Sequence, residues 1–507
     1  MPAKPVSVPA PIVPLVEFVE DTDPEDILPA ALAKLEEGVS THDLLAAAAI
    51  AVSRSTELPP GHHGGPVHPL SGIHAVRCLS ERLSGQVRFV PVLQNVALAN
   101  KHVHYPGMGP YILPEQEPLD ASRIPGSPIF AGIPRRPEGD ISEEAMIEAT
   151  KEAYLKARGF MGVAEGHFLW LLPRVSRGEL LDLLMTLAIQ KNQIDDHNFL
   201  FPLFTWRAVE WLGWEYAPIV LRPPVRYTSR PPAPPDVSEL KEVIAEYKLL
   251  DRPLRETSGP EETPVIGALG RAIGEVAEFK TIPSLIGRAL ADGLSLEGAG
   301  EALSIGAATL FLRSLGGNPM DVHLHTGVNQ RRYLLRPESG LSLENKLLAL
   351  LNWHTGPEVR NTQTRMAETP EPDPARVAAL PRRDQAALLD AIEDSIVNQP
   401  AIDWSGVANI GQLRVVPEVQ ETVALTRQYA DLNYDPRALI VRLGEVCCRD
   451  NFTEMHAYKH HQACVEEFEN SRPEWRWLHL VSAARAAAIS HGKKQDVFEE
   501  VRELLPA

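Results

Sequence analysis

The chain is poor in cysteine, in positive charge and in long apolar runs. Of 507 residues only Cys78, Cys447, Cys448 and Cys464 are cysteine, and no two form a CxxC pair. That excludes a disulfide framework and a zinc ribbon, and it reads as a reduced, cytoplasmic protein. The longest apolar stretches, such as 44–52, fall far short of the ~20 residues a membrane span needs. The proline-broken start lacks the apolar segment of a secretion signal. Lys and Arg number 49 against 67 Asp and Glu, a net charge of −18, so nucleic acid and anionic membrane are not expected partners. Strict apolar/polar alternation is almost absent, which leaves little to build a sheet. No GxGxxG follows a strand, and the chain has no phosphate-binding GxxxxGK[ST] loop. It also lacks a GxSxG nucleophile elbow, a CxxCH haem motif and an HExxH zinc-protease helix.

What is present is a chain 44% hydrophobic and 23% charged, a folded soluble composition in which the helix formers Ala and Leu are prominent. A 3.6-residue period runs through 25–35, 42–54, 143–157, 179–190, 198–212, 237–250, 297–315, 384–397, 437–447 and 475–489. Thr41 and Ser238 stand at N-cap positions, Ser176 and Glu179 make a capping box, and Gly159 and Gly316 stop helices. The expected fold is all-α, an irregular multi-helix assembly without a fixed repeat. Proline, 45 residues in all, concentrates in 105–138, 222–235 and 355–383, which read as extended connectors. They suggest a division into 1–221, 222–354 and 355–507.

Most of the 17 histidines fall into clusters. A Gly/Pro-rich segment holds His62, His63, His68 and His74, followed by His102 and His104. Neutral imidazole is the commonest metal donor, and such a loop lets backbone approach a ligand closely. His197 follows Asp195 and Asp196, either of which can fix its tautomer, and opens a helix whose Phe199, Phe201, Phe204, Trp206 and Trp211, with Trp214 just beyond, offer a wall to a flat substrate. The same stripe also suits plain core. His323 and His325 are two apart, so on a helix they do not face the same way. Arg331 and Arg332 follow, as an anion clamp or as surface charge. His456 and His460 are four apart, the spacing of a chelating helix face, with Lys459 on the same side. A cation would repel that lysine unless it were neutral or converted to a carbamate. Taken together, the clusters predict an all-histidine, oxygen-assisted site for iron, zinc, copper or manganese, with iron favoured if positions stay open for dioxygen.

The order of these motifs resembles the questin oxidase-like family of all-α oxidoreductases. The resemblance rests on His68-Pro-Leu-Ser-Gly-Ile-His74, Asp196-His197-Asn198-Phe199, His323-Leu-His325-Thr326-Gly327 with Arg331, and His456-Ala-Tyr-Lys459. It implies oxidative cleavage of aromatic rings by non-haem iron, held by His68, His197, His323 and His456 with a carboxylated Lys459. The insertion at Gly64-Gly65-Pro66, the extra imidazoles of His325 and His460, and the proline-rich connectors depart from the family pattern.

The leading expectation is therefore a metal-dependent oxidoreductase that takes dioxygen and a small planar molecule, with Asp196 and Arg331 as catalytic groups. His63, His74, His325 and His460 are the second-choice ligands, and a homodimer is compatible with the reading. Metal-assisted hydrolysis or hydration, with Asp195, Asp196 or Glu454 as general base, is the alternative enzyme class. A helical interaction protein with incidental histidines is the non-enzymatic one.

Overall fold

The computed structural model describes residues 4–57, 64–109, 113–120, 142–157, 159–232, 236–316, 319–399, 412–449, 454–491 and 496–504. The fold is all-α, and among the described residues the extended pairings are three isolated bridges. Segments with clear periodicity form helices close to the expected bounds: Ile27–Glu36, Thr41–Ser55, Leu296–Arg313 and Gln385–Val397 are examples. The capping box at Ser176 and Glu179 forms. The cap of Thr41–Ser55 sits one residue earlier than expected, where Ser40 Oγ accepts from the Asp43 N–H at 3.0 Å. Ser238 is the first residue of its helix rather than its cap.

Two of the three proline-rich segments correct the expectation of extended connectors. Within 222–235, Arg222–Ser229 is helical because its prolines stand in the first turn, where no intrahelical N–H is lost. Within 355–383, Pro357–Gln363 and Pro374–Ala379 both open on proline for the same reason. Of the third, 105–109 and 113–120 are non-helical, and 121–138 lie outside the described residues. The boundary at 221/222 falls on the fully buried Leu221 between two helices, and one contiguous apolar core draws on all three segments.

Four helices position the site: α1 (Val67–Arg82), α2 (His197–Leu212), α3 (His323–Leu335) and α4 (His456–Asn470). They form a ring in which α1 packs on α2 and α4, and α3 packs on the same two. A fifth, α5 (Trp477–Ser490), lies against α4. On α1 and α4 most residues are buried, so these helices are enclosed by others.

Burial also sets the acid stability. It pushes the imidazole of His354 down to about 4 and that of His479 down to about 3. Both bases are neutral in the folded chain, while the unfolded chain protonates them below about 6.5. Stability from these two is complete above that value and falls as pH drops towards 4, by about 3 kcal/mol per pH unit when two protons separate the states. Denaturant melts at pH 6.5, 5.5 and 4.5 measure this, and a midpoint that stays flat across that window contradicts it.

Candidate metal centre

The N-terminal ends of α1 to α4 converge, and each carries a histidine in its first or second position: His68, His197, His323 and His456. Their rings form a closed set. The centroid separations are 4.7 Å for His68–His456, 5.2 Å for His68–His197, 5.6 Å for His197–His323 and 5.1 Å for His323–His456. One nitrogen each from His68, His197 and His456 lies within 4.8 Å of the other two. Lys459, one turn into α4, brings Nζ to 3.3 Å from His68 Nδ1. All five side chains are buried. The fold thus gathers His68, His197, His323, His456 and Lys459 from widely separated parts of the chain.

Carboxylates hold two of the rings from behind. Asp195 Oδ1 lies 2.9 Å from His197 Nδ1 and accepts from the His197 backbone N–H at 3.0 Å. Asp195 Oδ2 takes the Tyr227 hydroxyl. Glu358 Oε2 lies 2.6 Å from His323 Nδ1. In both pairs the carboxylate stands beside Nδ1, the side from which an outer carboxylate orients a metal-binding imidazole. His197 Nε2 is buried with no hydrogen-bond partner. Glu454 Oε2 stands 3.2 Å from His68 Nε2.

Asp196, expected as a catalytic group, has a different place. Its Oδ2 accepts the Glu358 backbone N–H at 2.9 Å, so it fixes the residue that holds His323 and acts as a positioning group. The contact requires glycine at 356, because a Cβ there would lie 1.8 Å from Asp196 Oδ1. Burial, reinforced by the neighbouring Glu358 charge, raises Asp196 to about 7. Burial pushes Glu358 upward too, but His323 beside it outweighs that and holds it below its usual range. Arg331 is not an anion clamp. Its guanidinium donates to Ala349 O, Gly327 O and Asn352 Oδ1 at 2.6–2.8 Å and stacks on Phe199 at 4.0 Å, which ties α3 to the helix following it.

The loop before α1 gives the close backbone approach expected of a Gly/Pro-rich segment. Gly64 has φ +92°, and a Cβ on it would meet His68 Nε2 at 2.8 Å. Ahead of α4, Glu454 and Met455 both adopt positive φ, 47° and 69°, a conformation that costs of order 1–3 kcal/mol per non-glycine residue and clusters at functional sites. Burial lowers Lys459 to about 7 against the pull of Glu454 and Glu358, and burial together with the Lys459 charge holds His68 well below its ordinary value.

The second-choice histidines go elsewhere. His63 lies outside the described residues. His74 sits against the Arg207–Glu466 ion pair: its Nε2 meets Glu466 Oε1 at 2.7 Å and Arg207 Nη2 at 2.8 Å. That network borders a polar cavity of about 430 Å³ lined also by Asn329, Arg332 and Tyr333. At 1.5 Å per residue along α4, it sits roughly 15 Å from the imidazoles. His325 and His460 form a separate group with Cys464, since two residues along α3 turn the side chain to the other side. Of the aromatic wall, Phe201 and Phe204 line the space between the imidazoles, together with Leu200. Trp206 packs on Trp214, and Trp211 on His42, as core and surface packing. Sequence reasoning missed Glu358 and Tyr227, which lie in segments read as connectors and have no motif of their own. Among the described residues no helix is long and apolar enough to cross a membrane. No family model, curated protein or solved structure matches this chain.

Proposed function

We propose that the chain is a mononuclear non-haem iron oxidoreductase that acts with dioxygen on a planar or aromatic small molecule. The observation that carries this reading is the convergence of donor nitrogens from three helices within 4.8 Å, with the His323 ring beside them. Two donors on one ion stand roughly 3–4 Å apart, so these rings reach a common ion by small rotations. Nitrogen donors with oxygen from a carboxylated Lys459 suit a first-row metal, and iron is favoured over zinc, copper or manganese where dioxygen is the co-substrate. Bound iron supplies one-electron exchange with dioxygen and Lewis acidity.

The chain's own groups do the rest. Asp195 and Glu358 keep His197 and His323 in one tautomer, while Leu200, Phe201 and Phe204 keep bulk water from the centre. Phe201 is shared with a small cleft of about 40 Å³ that Val67, Leu70, Tyr227, Glu57 and Arg226 also line. Glu454 is placed to take a proton beside His68. The resemblance to questin oxidase-like proteins supports the same reading, because the five ligands it implies are gathered here, although His74, His325 and Arg331 of the same motifs lie elsewhere.

Metal analysis of protein purified without chelator tests the proposal. Stoichiometric iron and oxygen uptake with phenolic polycyclic substrates are expected. A chain that neither carries iron nor takes up oxygen after anaerobic iron(II) loading overturns it. Tyr227→Phe leaves Asp195 without its hydroxyl donor and is expected to weaken iron binding about 10–100-fold, as read by chelator competition. Unchanged affinity would mean that the tyrosine plays no part in orienting His197.

A further inference from the structure

A second set of soft donors lies on the same two helices, on the other side of α3 and one to two turns further along α4. His325 follows His323 by two residues, about 200° round α3. His460 and Cys464 follow His456 at successive turns of α4. The His325 and His460 rings stand 5.0 Å apart and nearly perpendicular, at 85°. Cys464 Sγ is 3.6 Å from His460 Nε2 and 3.7 Å from its Nδ1. One donor atom from each of the three residues lies within 4.8 Å of the other two. Exposure is 0% for His325, 1% for His460 and 0% for Cys464.

The second, independent observation is that both ring nitrogens of His325 are buried with no hydrogen-bond partner. A neutral imidazole carries one donor and one acceptor, and buried polar atoms in folded proteins are satisfied with few exceptions. Phe311 packs against both rings, 5.6 Å from His325 and 5.2 Å from His460, so apolar surface rather than polar partners surrounds them. An edge-on contact between the two imidazoles is a weak interaction and leaves one His325 nitrogen unanswered.

We propose that His325, His460 and Cys464 bind a second metal ion, a thiophilic one of the copper(I) or zinc class. One thiolate and two imidazoles select these ions over magnesium, calcium or manganese. His479 on α5 lies 5.7 Å from His325, ring to ring, with its Nδ1 also unpartnered, and it is the nearest further donor for an ion that takes four ligands. Binding forms the metal–sulfur bond and releases the Cys464 proton to solvent. The ion cross-links α3 to α4 one turn from the first centre, and the site does not depend on the chemistry proposed there.

Cobalt(II) titration of chelator-stripped full-length protein tests this, because a cobalt–thiolate bond gives a sulfur-to-metal charge-transfer band in the near ultraviolet that histidine-only sites lack. The band is expected in the wild type, in Cys78→Ser and in His456→Ala, and is expected to be lost in Cys464→Ser. His325→Gln keeps the thiol and is expected to weaken the cobalt affinity read from that band at least tenfold, which covers the case in which Cys464→Ser does not fold. Absence of the band in the wild type, or its persistence in Cys464→Ser, overturns the proposal. Copper or zinc in the protein as purified, lost in His325→Gln, identifies the ion. Because the first centre lacks sulfur, failure here leaves the iron proposal standing, and failure of iron binding leaves the cobalt–thiolate band intact.

Discussion

Replacing His456 by alanine is expected to strip iron from the protein, whereas replacing His74 by alanine is expected to leave it bound. The contrast is informative because both histidines belong to the clusters that make the sequence look metal-binding, and the fold sends them to different places. His456 lies among three other imidazoles, while His74 answers Glu466 and Arg207. Removing a residue that only orients a ligand costs about 10–100-fold in metal affinity, so loss of a donor is expected to exceed about 100-fold. His197→Ala is expected to behave like His456→Ala. Metal content after gel filtration and chelator competition are the measurements. Iron retained at wild-type affinity in His456→Ala, or lost equally in His74→Ala, would mean that the converging rings are not the iron site.

The largest stability effect is expected at Glu165, far from any motif. Its carboxylate is 1% exposed and takes Arg222 Nε, with Arg226 Nη1 at 3.1 Å. Arg222 is itself 1% exposed, and its other recorded bond goes to Pro114 O. Glu165→Ala leaves a guanidinium charge buried without its counter-ion, which costs about 3–5 kcal/mol. Glu165→Gln keeps one acceptor and is expected to cost less. The damage should also reach the candidate centre, because the helix Arg222–Ser229 carries Tyr227, the donor to Asp195. Equilibrium denaturation of the two variants, with iron affinity read in parallel, checks both parts. A loss below about 1 kcal/mol for Glu165→Ala would show that the pair is hydrated or replaceable.

Exposure accounts for part of what was legible, although the almost wholly buried Leu296–Arg313 was readable too. Helices with one wet face, such as Gln385–Val397, repeat their apolar residues every three to four positions and were readable. The helices Val67–Arg82 and Val90–His104 are enclosed on most sides, so their apolar residues show no period. Proline misled at Arg222–Ser229 and Pro357–Gln363, because composition alone does not distinguish a proline that starts a helix from one that prevents it. Each of these two misread segments carries a residue that supports the centre, Tyr227 or Glu358. Arg331 misled in another way: an arginine following two histidines suggests an anion partner, but its three bonds go to carbonyl and amide oxygens.

The sequence by itself determined that the chain is all-α, because helix periodicity and capping are local properties written in neighbouring residues. It also marked the histidine clusters as candidate donors, because donor chemistry is a property of the side chain, and the family resemblance picked His68, His197, His323, His456 and Lys459 from among them. Tertiary structure alone decided which of the histidines meet. The packing of α1 to α4 brings four helix starts to one point; the 100° turn per residue then points His325 away from His323, and His460 meets it from one turn further along α4 than His456. The carboxylate behind His323 was decided there as well, since Glu358 reaches His323 only through the packing that places Asp196 against Gly356.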